Sequence, residues 1–202
     1  MLTLPNVTLV CIDCINYLRA LNAINQSIEK VNFAEVKILT SIDVFTTGSI
    51  QIVPIEPITN KVAYSYFVIK ELHKYIQTDY ALLVQWDGYV WSATGWSNEF
   101  LEYDYIGAVW HFRPDIRVGN GGFSLRSKKL LDLTPSIQEI ITSEGKGSLH
   151  PEDCAICIFH RDYLMSHGIK FAPEDVADRF AVENRTYKGQ FGWHGGTHPP
   201  GV

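Results

Sequence analysis

Asp87 is the residue whose position most invites chemistry. It follows the apolar run Tyr80–Gln85 (YALLVQ) and precedes Gly88, which lets the backbone turn. A carboxylate at the end of a buried strand faces the crevice of an open α/β sheet. Its oxygens there suit Mg²⁺ or Mn²⁺, although a turn-capping carboxylate occupies the same kind of position. The densest glycine cluster is Gly119-Asn120-Gly121-Gly122-Phe123-Ser124. It precedes a strand rather than a helix, so a phosphate-binding P-loop does not fit. Either its glycines let backbone approach a ligand closely, or Asn120-Gly121 makes a tight hairpin. His150-Pro151-Glu152-Asp153 opens a helix, where acids gain from the helix dipole or where one of them serves as a general base. His194, in FGWHG, is either a metal ligand through neutral imidazole or a surface-loop residue, and His198 is a weaker version of the same case. Trp86, Trp91, Trp96, Trp110 and Trp193 offer faces for sugar rings, with core packing as the ordinary alternative.

These groups need a scaffold, and the hydrophobic pattern supplies one. Residues 7–12 (VTLVCI), 36–41 (VKILTS), 50–55 (IQIVPI) and 80–85 read as strands, the first buried on both faces and the last the clearest of the four. Ile15, Leu18, Leu21, Ile24, Ile28 and Val31 recur at helical spacing. Residues 60–76 form a second helix capped by Asn60. The order β-α-β-β-α-β implies a mostly parallel sheet with flanking helices. Further on, 105–110 and 122–125 read as strands, 128–133 and 137–142 as helical turns, 152–167 as one helix, and 169–172 and 179–182 as short strands. Ligands bind beyond the carboxyl ends of such strands, which points to Asp13, Ser41 and Asp87.

Composition removes other classes. Residues of the AVILMFWYC set make up 46% of the chain and charged residues 19%, which is globular rather than disordered. With 17 Lys and Arg against 22 Asp and Glu, the net charge of −5 argues against a nucleic-acid partner. The basic group Arg126, Lys128 and Lys129 reads as a solvated helix face. No apolar run is long enough to span a bilayer, and the first residues lack a basic, cleavable leader. A cytoplasmic protein with reduced thiols is therefore expected. Two C-x-x-C pairs, Cys11/Cys14 and Cys154/Cys157, suggest zinc, but both lie in apolar runs and read better as small hydrophobes.

The segments LLVQWDG, DYIGAVW, GNGGFSLRS, PED on a helix and FGWHG, in that order, resemble the GT-A fold of glycosyltransferases. They are most similar to a domain-of-unknown-function family of glycosyltransferase-like proteins with Q-x-D, DYIGAxW and GNGGFSLR motifs. The resemblance covers roughly residues 7–195. It implies one domain over residues 1–202, with a nucleotide-binding half at about 1–90, an acceptor and catalytic half at about 91–195 and a tail at 196–202. Asp87 matches the last Asp of an Asp-x-Asp motif that holds Mn²⁺ or Mg²⁺ against a donor diphosphate, with Gln85 where the first Asp would stand. His194 completes the metal site. Asp13, Ser41, Gln85 and Trp86 border the nucleotide and donor. Gly121, Gly122 and Phe123, with Trp110 and Trp193, border donor sugar and acceptor. Asp153, with Glu152 beside it, supplies the catalytic base of an inverting transfer. The partners implied are a nucleotide-diphospho sugar and a glycan acceptor, with a second copy or a partner enzyme to complete the acceptor side. The competing expectations are a catalytically inactive binding or scaffolding module on the same fold, and a sugar-nucleotidyl transferase, for which the loop after the first strand lacks the glycines and cations.

Overall fold

The apolar runs become a six-stranded sheet in the computed structural model of the chain. The structure describes residues 1–45, 48–112, 115–138 and 150–195. The chain begins β1 (Leu2–Ile12), α1 (Tyr17–Ile28), β2 (Val31–Thr40), β3 (Ile50–Pro54), α2 (Lys61–Lys70) and β4 (Tyr80–Val84). It continues with β5 (Gly88–Val90), β6 (Tyr105–Gly107), β7 (Phe123–Ser127) and α3 (Lys128–Leu133). The last elements are α4 (Glu152–Cys154), α5 (Arg161–Ser166), α6 (Glu174–Phe180), β8 (Ala181–Val182) and β9 (Gly192–His194). The sheet order is β3-β2-β1-β4-β7-β6. β3, β2, β1 and β4 are parallel, while β7 runs against both of its neighbours. A smaller sheet has the order β5-β9-β8.

Period-two alternation explains why β1 is uniformly apolar from Leu9 to Ile12, where the strand is buried on both faces. Leu9 and Cys11 pack with Ala20 and Ile24 of α1 and with α6. Val10 and Ile12 face Val68 of α2, Leu72 and Leu131 of α3. Cys157 lies in a third cluster with Tyr105 and Trp110. The four cysteines are free thiols, and Cys11 and Cys157 are buried.

Several expectations are corrected. The α1 stripe holds in its middle, where Leu21, Ile24 and Ile28 pack on the core, but Ile15 and Leu18 are 64% and 73% exposed, and Ala20, Ala23 and Ser27 complete the buried face. The cause is local, because Asn16 caps the helix through the Arg19 N–H and starts it later. Val31 opens β2 instead. The helix expected over 60–76 ends at Lys70, and a 3₁₀ turn, Leu72–Tyr75, follows. The helix expected over 152–167 is broken by a π turn, Ala155–Phe159, where the His160 N–H reaches the Ala155 carbonyl at 2.9 Å. The wide turn lets three consecutive residues, Ala155, Ile156 and Cys157, all bury. Residues 179–180 end α6, leaving only Ala181–Val182 as strand. In 169–172 there is a single bridge, Phe171 to Tyr105. The turns expected at 137–142 lie almost wholly outside the described residues. Arg126 is not on a solvated face: it is a fully buried side chain of β7.

Candidate functional site

The carboxyl ends of β1 and β4 and the amino end of β7 meet at one edge of the sheet. Asp13, just past β1, accepts the N–H groups of Ile15 and Asn16 at 2.8 and 3.0 Å and the Arg19 Nε–H at 2.6 Å. It thereby fixes its loop and holds the Arg19 guanidinium 5.2 Å from the centre of the Trp86 ring. Trp86 is 46% exposed, so this pair forms an accessible cationic and aromatic wall.

β4 turns sharply at its end, with the Gly88 N–H donating to the Gln85 carbonyl at 3.1 Å. β5 then pairs with β9, and the register places Gly88 opposite His194. Asp87 Oδ1 thus comes 3.4 Å from His194 Nε2. That is ion-pair distance but loose for a hydrogen bond, and Asp87 Oδ1 is buried without a hydrogen-bond partner. The other ring nitrogen, Nδ1, lies 3.0 Å from Glu183 Oε1 and 3.0 Å from Asn120 Nδ2. Asn120 sits in the left-handed region, φ 68°, and its side-chain oxygen accepts the Gly122 and Phe123 N–H groups at 2.9 and 3.2 Å. Gly122 packs under the imidazole, where a methyl group would run into the ring.

Burial disfavours the His194 cation, but the Asp87 and Glu183 carboxylates override it and lift its pKa to about 9. Burial also opposes the charge of both carboxylates, and His194 nevertheless holds each below its ordinary value. The folded state therefore binds this proton more tightly than the unfolded chain does. Its stabilisation is complete below pH 6.5 and fades as pH rises through about 9. In metal-free buffer, the melting temperature is expected to fall across that window. A flat profile, or an equal fall in His194→Gln, contradicts the assignment.

Asp153 accepts the Gly121 N–H on Oδ2 at 3.0 Å and the Cys154 N–H on Oδ1 at 2.8 Å. Burial raises its pKa, while these backbone donors and Arg126 work against the rise. Its neighbour Glu152 points the other way, into a buried ion pair with Arg126 Nη2 at 2.8 Å. Arg126 Nε donates to Ser124 Oγ at 3.0 Å. Burial pushes the Glu152 carboxyl up to about 7 even against that cation.

A cleft of about 890 Å³ joins these pieces. Of the residues expected at the site, Asp13, Gln85, Trp86, Trp110, Gly121, Gly122, Glu152, Asp153 and His194 line it. Asp87 is not on its wall but stands behind His194. Ser41, Phe123 and Trp193 are not brought to it. Ser41 is exposed past the end of β2. Phe123 is packed among Phe180 and Phe191, and Trp193 joins Tyr89 and Val182. His198 lies outside the described residues. Among the described residues, no group of three or more His, Cys, Asp and Glu side chains is placed to hold a metal. Sequence reasoning missed Arg19, Tyr64, Asn120, Arg126 and Glu183 as site residues. Only Asn120 carried a signal, as a turn former before glycine.

A family model described as "Protein of unknown function (DUF5672)" matches residues 48–202. No curated protein matches the chain. Among solved structures, it is similar to mannosyltransferase PcManGT from Pyrobaculum calidifontis in complex with GDP-Man and Mn²⁺. The TM-score is 0.51 at 10% sequence identity, covering 85% of this chain. The chain spans 55% of the length of that structure. At this identity the likeness concerns the fold, which is mixed α/β of the GT-A type.

Proposed function

From the premise that the chain belongs to the DUF5672 family and has a GT-A fold, we propose that it is a glycosyltransferase. It moves a sugar from a nucleotide-diphospho sugar to a hydroxyl of a saccharide acceptor. The observation that carries this reading is the cleft itself, with Asp153 and His194 both on its wall beside Gly121 and Gly122. In this reading the chain is one domain, with residues of about 1–90 serving the nucleotide and those of about 91–195 the acceptor.

Asp13 and Arg19 bind and orient the nucleotide at the Trp86 wall. Asp153, held by two backbone N–H groups, takes the proton of the incoming hydroxyl. Attack from the side opposite the leaving group inverts the sugar carbon. The donor set also suits a divalent ion. Asp87 Oδ1 is a buried oxygen without a hydrogen-bond partner, and His194 Nε2 is 3.4 Å away. Glu183 orients the far nitrogen of the ring, the usual support for a metal-binding histidine. Asp87 and His194 would be the residues that hold such an ion, and Gln85 supplies no charge in place of a second carboxylate. Mn²⁺ or Mg²⁺ there would offset the charge that develops on the departing diphosphate.

The test is thermal melting with UDP, GDP, CDP and their sugars, each with and without Mn²⁺. A ligand at 100 times its Kd adds about 2.7 kcal/mol, so one nucleotide is expected to raise the melting temperature in a metal-dependent way. No shift with any nucleotide removes the transferase reading in favour of the inactive module.

A further inference from the structure

Three buried polar atoms around the cleft floor have no hydrogen-bond partner: Tyr64 Oη, Glu152 Oε2 and Arg126 Nη1. Buried polar groups are ordinarily paired, so the two orphans on residues that line the cleft, Tyr64 Oη and Glu152 Oε2, call for a common partner. Arg126 and Glu152 are joined by one bond, Nη2 to Oε1. Arginine–carboxylate pairs often close with two, and here the second oxygen and the second nitrogen are left over. Tyr64 comes from α2 and approaches Gln85 without making a proper hydrogen bond, and its hydroxyl lies within the fields of both Glu152 and Arg126. Tyr64, Gln85 and Glu152 all line the cleft, whereas Arg126 lies wholly beneath it. A methyl group at Gly121 would run into the Glu152 carboxylate, so only a glycine fits against it.

The missing partner must offer a donor to Glu152 Oε2 and an acceptor to the Tyr64 O–H. A phosphate only accepts and would meet the Glu152 charge. A hydroxyl does both. We propose that Tyr64 and Glu152, with Arg126 fixing the carboxylate from below, form a subsite that reads a hydroxyl of the transferred sugar. This rests on the glycosyltransferase reading and adds the substrate class to it: a sugar bearing a free hydroxyl at one defined ring position. A site built to bond a hydroxyl strongly rejects the analogue that lacks it, because its own polar groups are then left unpaired.

The experiment is calorimetric titration of the wild type and Tyr64→Phe with the nucleoside diphosphate identified by melting, its hexose ester and each monodeoxy form of that ester. In the wild type, one monodeoxy form is expected to bind at least about 100-fold more weakly than the parent. Tyr64→Phe is expected to lose most of that discrimination while binding the bare diphosphate as before. Removing an unpaired buried hydroxyl leaves no new orphan, so this variant is expected to melt no lower than the wild type. Glu152→Gln, which keeps the size of the side chain, is expected to erase the same positional preference. Equal binding of all monodeoxy forms, or full discrimination retained in Tyr64→Phe, overturns the subsite and leaves water as its occupant. Diphosphate binding without any dependence on the sugar defeats this inference alone. Failure of every nucleotide to bind defeats the transferase reading and this inference with it.

Discussion

Asp153→Asn is expected to lower the turnover of sugar transfer by about 100- to 10,000-fold, the usual worth of a positioned general base. The amide matches the carboxyl in shape and cannot take a proton. Asp153 accepts the Gly121 and Cys154 N–H groups on separate oxygens, so the amide keeps one of these bonds and loses the other at a cost of about 1–3 kcal/mol, and the variant is expected to remain folded and to bind nucleotide. Glu152 is not expected to substitute, because Arg126 holds its Oε1 and the subsite proposed above gives its Oε2 to a hydroxyl of the transferred sugar rather than of the acceptor. Because burial raises the Asp153 pKa, the acid limb of the wild-type rate profile should fall above the ordinary carboxylate range. Unchanged transfer in Asp153→Asn would place the base elsewhere.

Arg126→Met carries the largest expected loss of stability. It strands the Glu152 carboxylate in a site where both partners are buried. Removing one member of such a pair typically costs about 3–5 kcal/mol, read here as a lower denaturant midpoint. The double variant Arg126→Met with Glu152→Leu replaces both charges by apolar groups and is expected to recover most of that loss. It should still lack the positional sugar preference. A midpoint for Arg126→Met within error of the wild type would show that the pair is not buried as described.

The two variants also mark what the sequence made legible. Asp87, Asp153 and His194 were visible as polar residues placed by apolar patterns: a strand end, a helix opening and a late glycine-flanked loop. β1 and β4 were visible because a strand covered on both faces must be apolar without alternation. Arg126 was misread because two lysines follow it in sequence, yet they begin α3 whereas Arg126 belongs to β7. Only the pairing of β7 with β4 and β6 turns it inward. Glu183 was invisible for a related reason. It follows a two-residue strand whose existence depends on β9. The π turn was hidden because Ala155–Phe159 contains neither Gly nor Pro to break a helix, and three-dimensional burial rather than propensity sets its width. Phe123 and Trp193 were drawn in by Gly122 and His194, which do reach the cleft, and Ser41 by the strand-end rule.

The small sheet β5-β9-β8 has its own dynamic meaning. Its strands are three, three and two residues long, and β9 lies between the other two. Few backbone bonds hold it, so the burial of Tyr89, Val90, Ala181, Val182 and Trp193, more than its ladder, sets its opening free energy. β5 is additionally tied to α1, because Val90 donates its N–H to Ser27 Oγ at 3.1 Å, and so Asp87 is anchored. β9 carries His194 and packs Trp193 in one cluster with Ala23 of α1. Local opening would thus separate the histidine from the aspartate while the six-stranded sheet stays closed. Exchange of the β9 amides with solvent deuterium then reports on assembly of the site, independently of global unfolding.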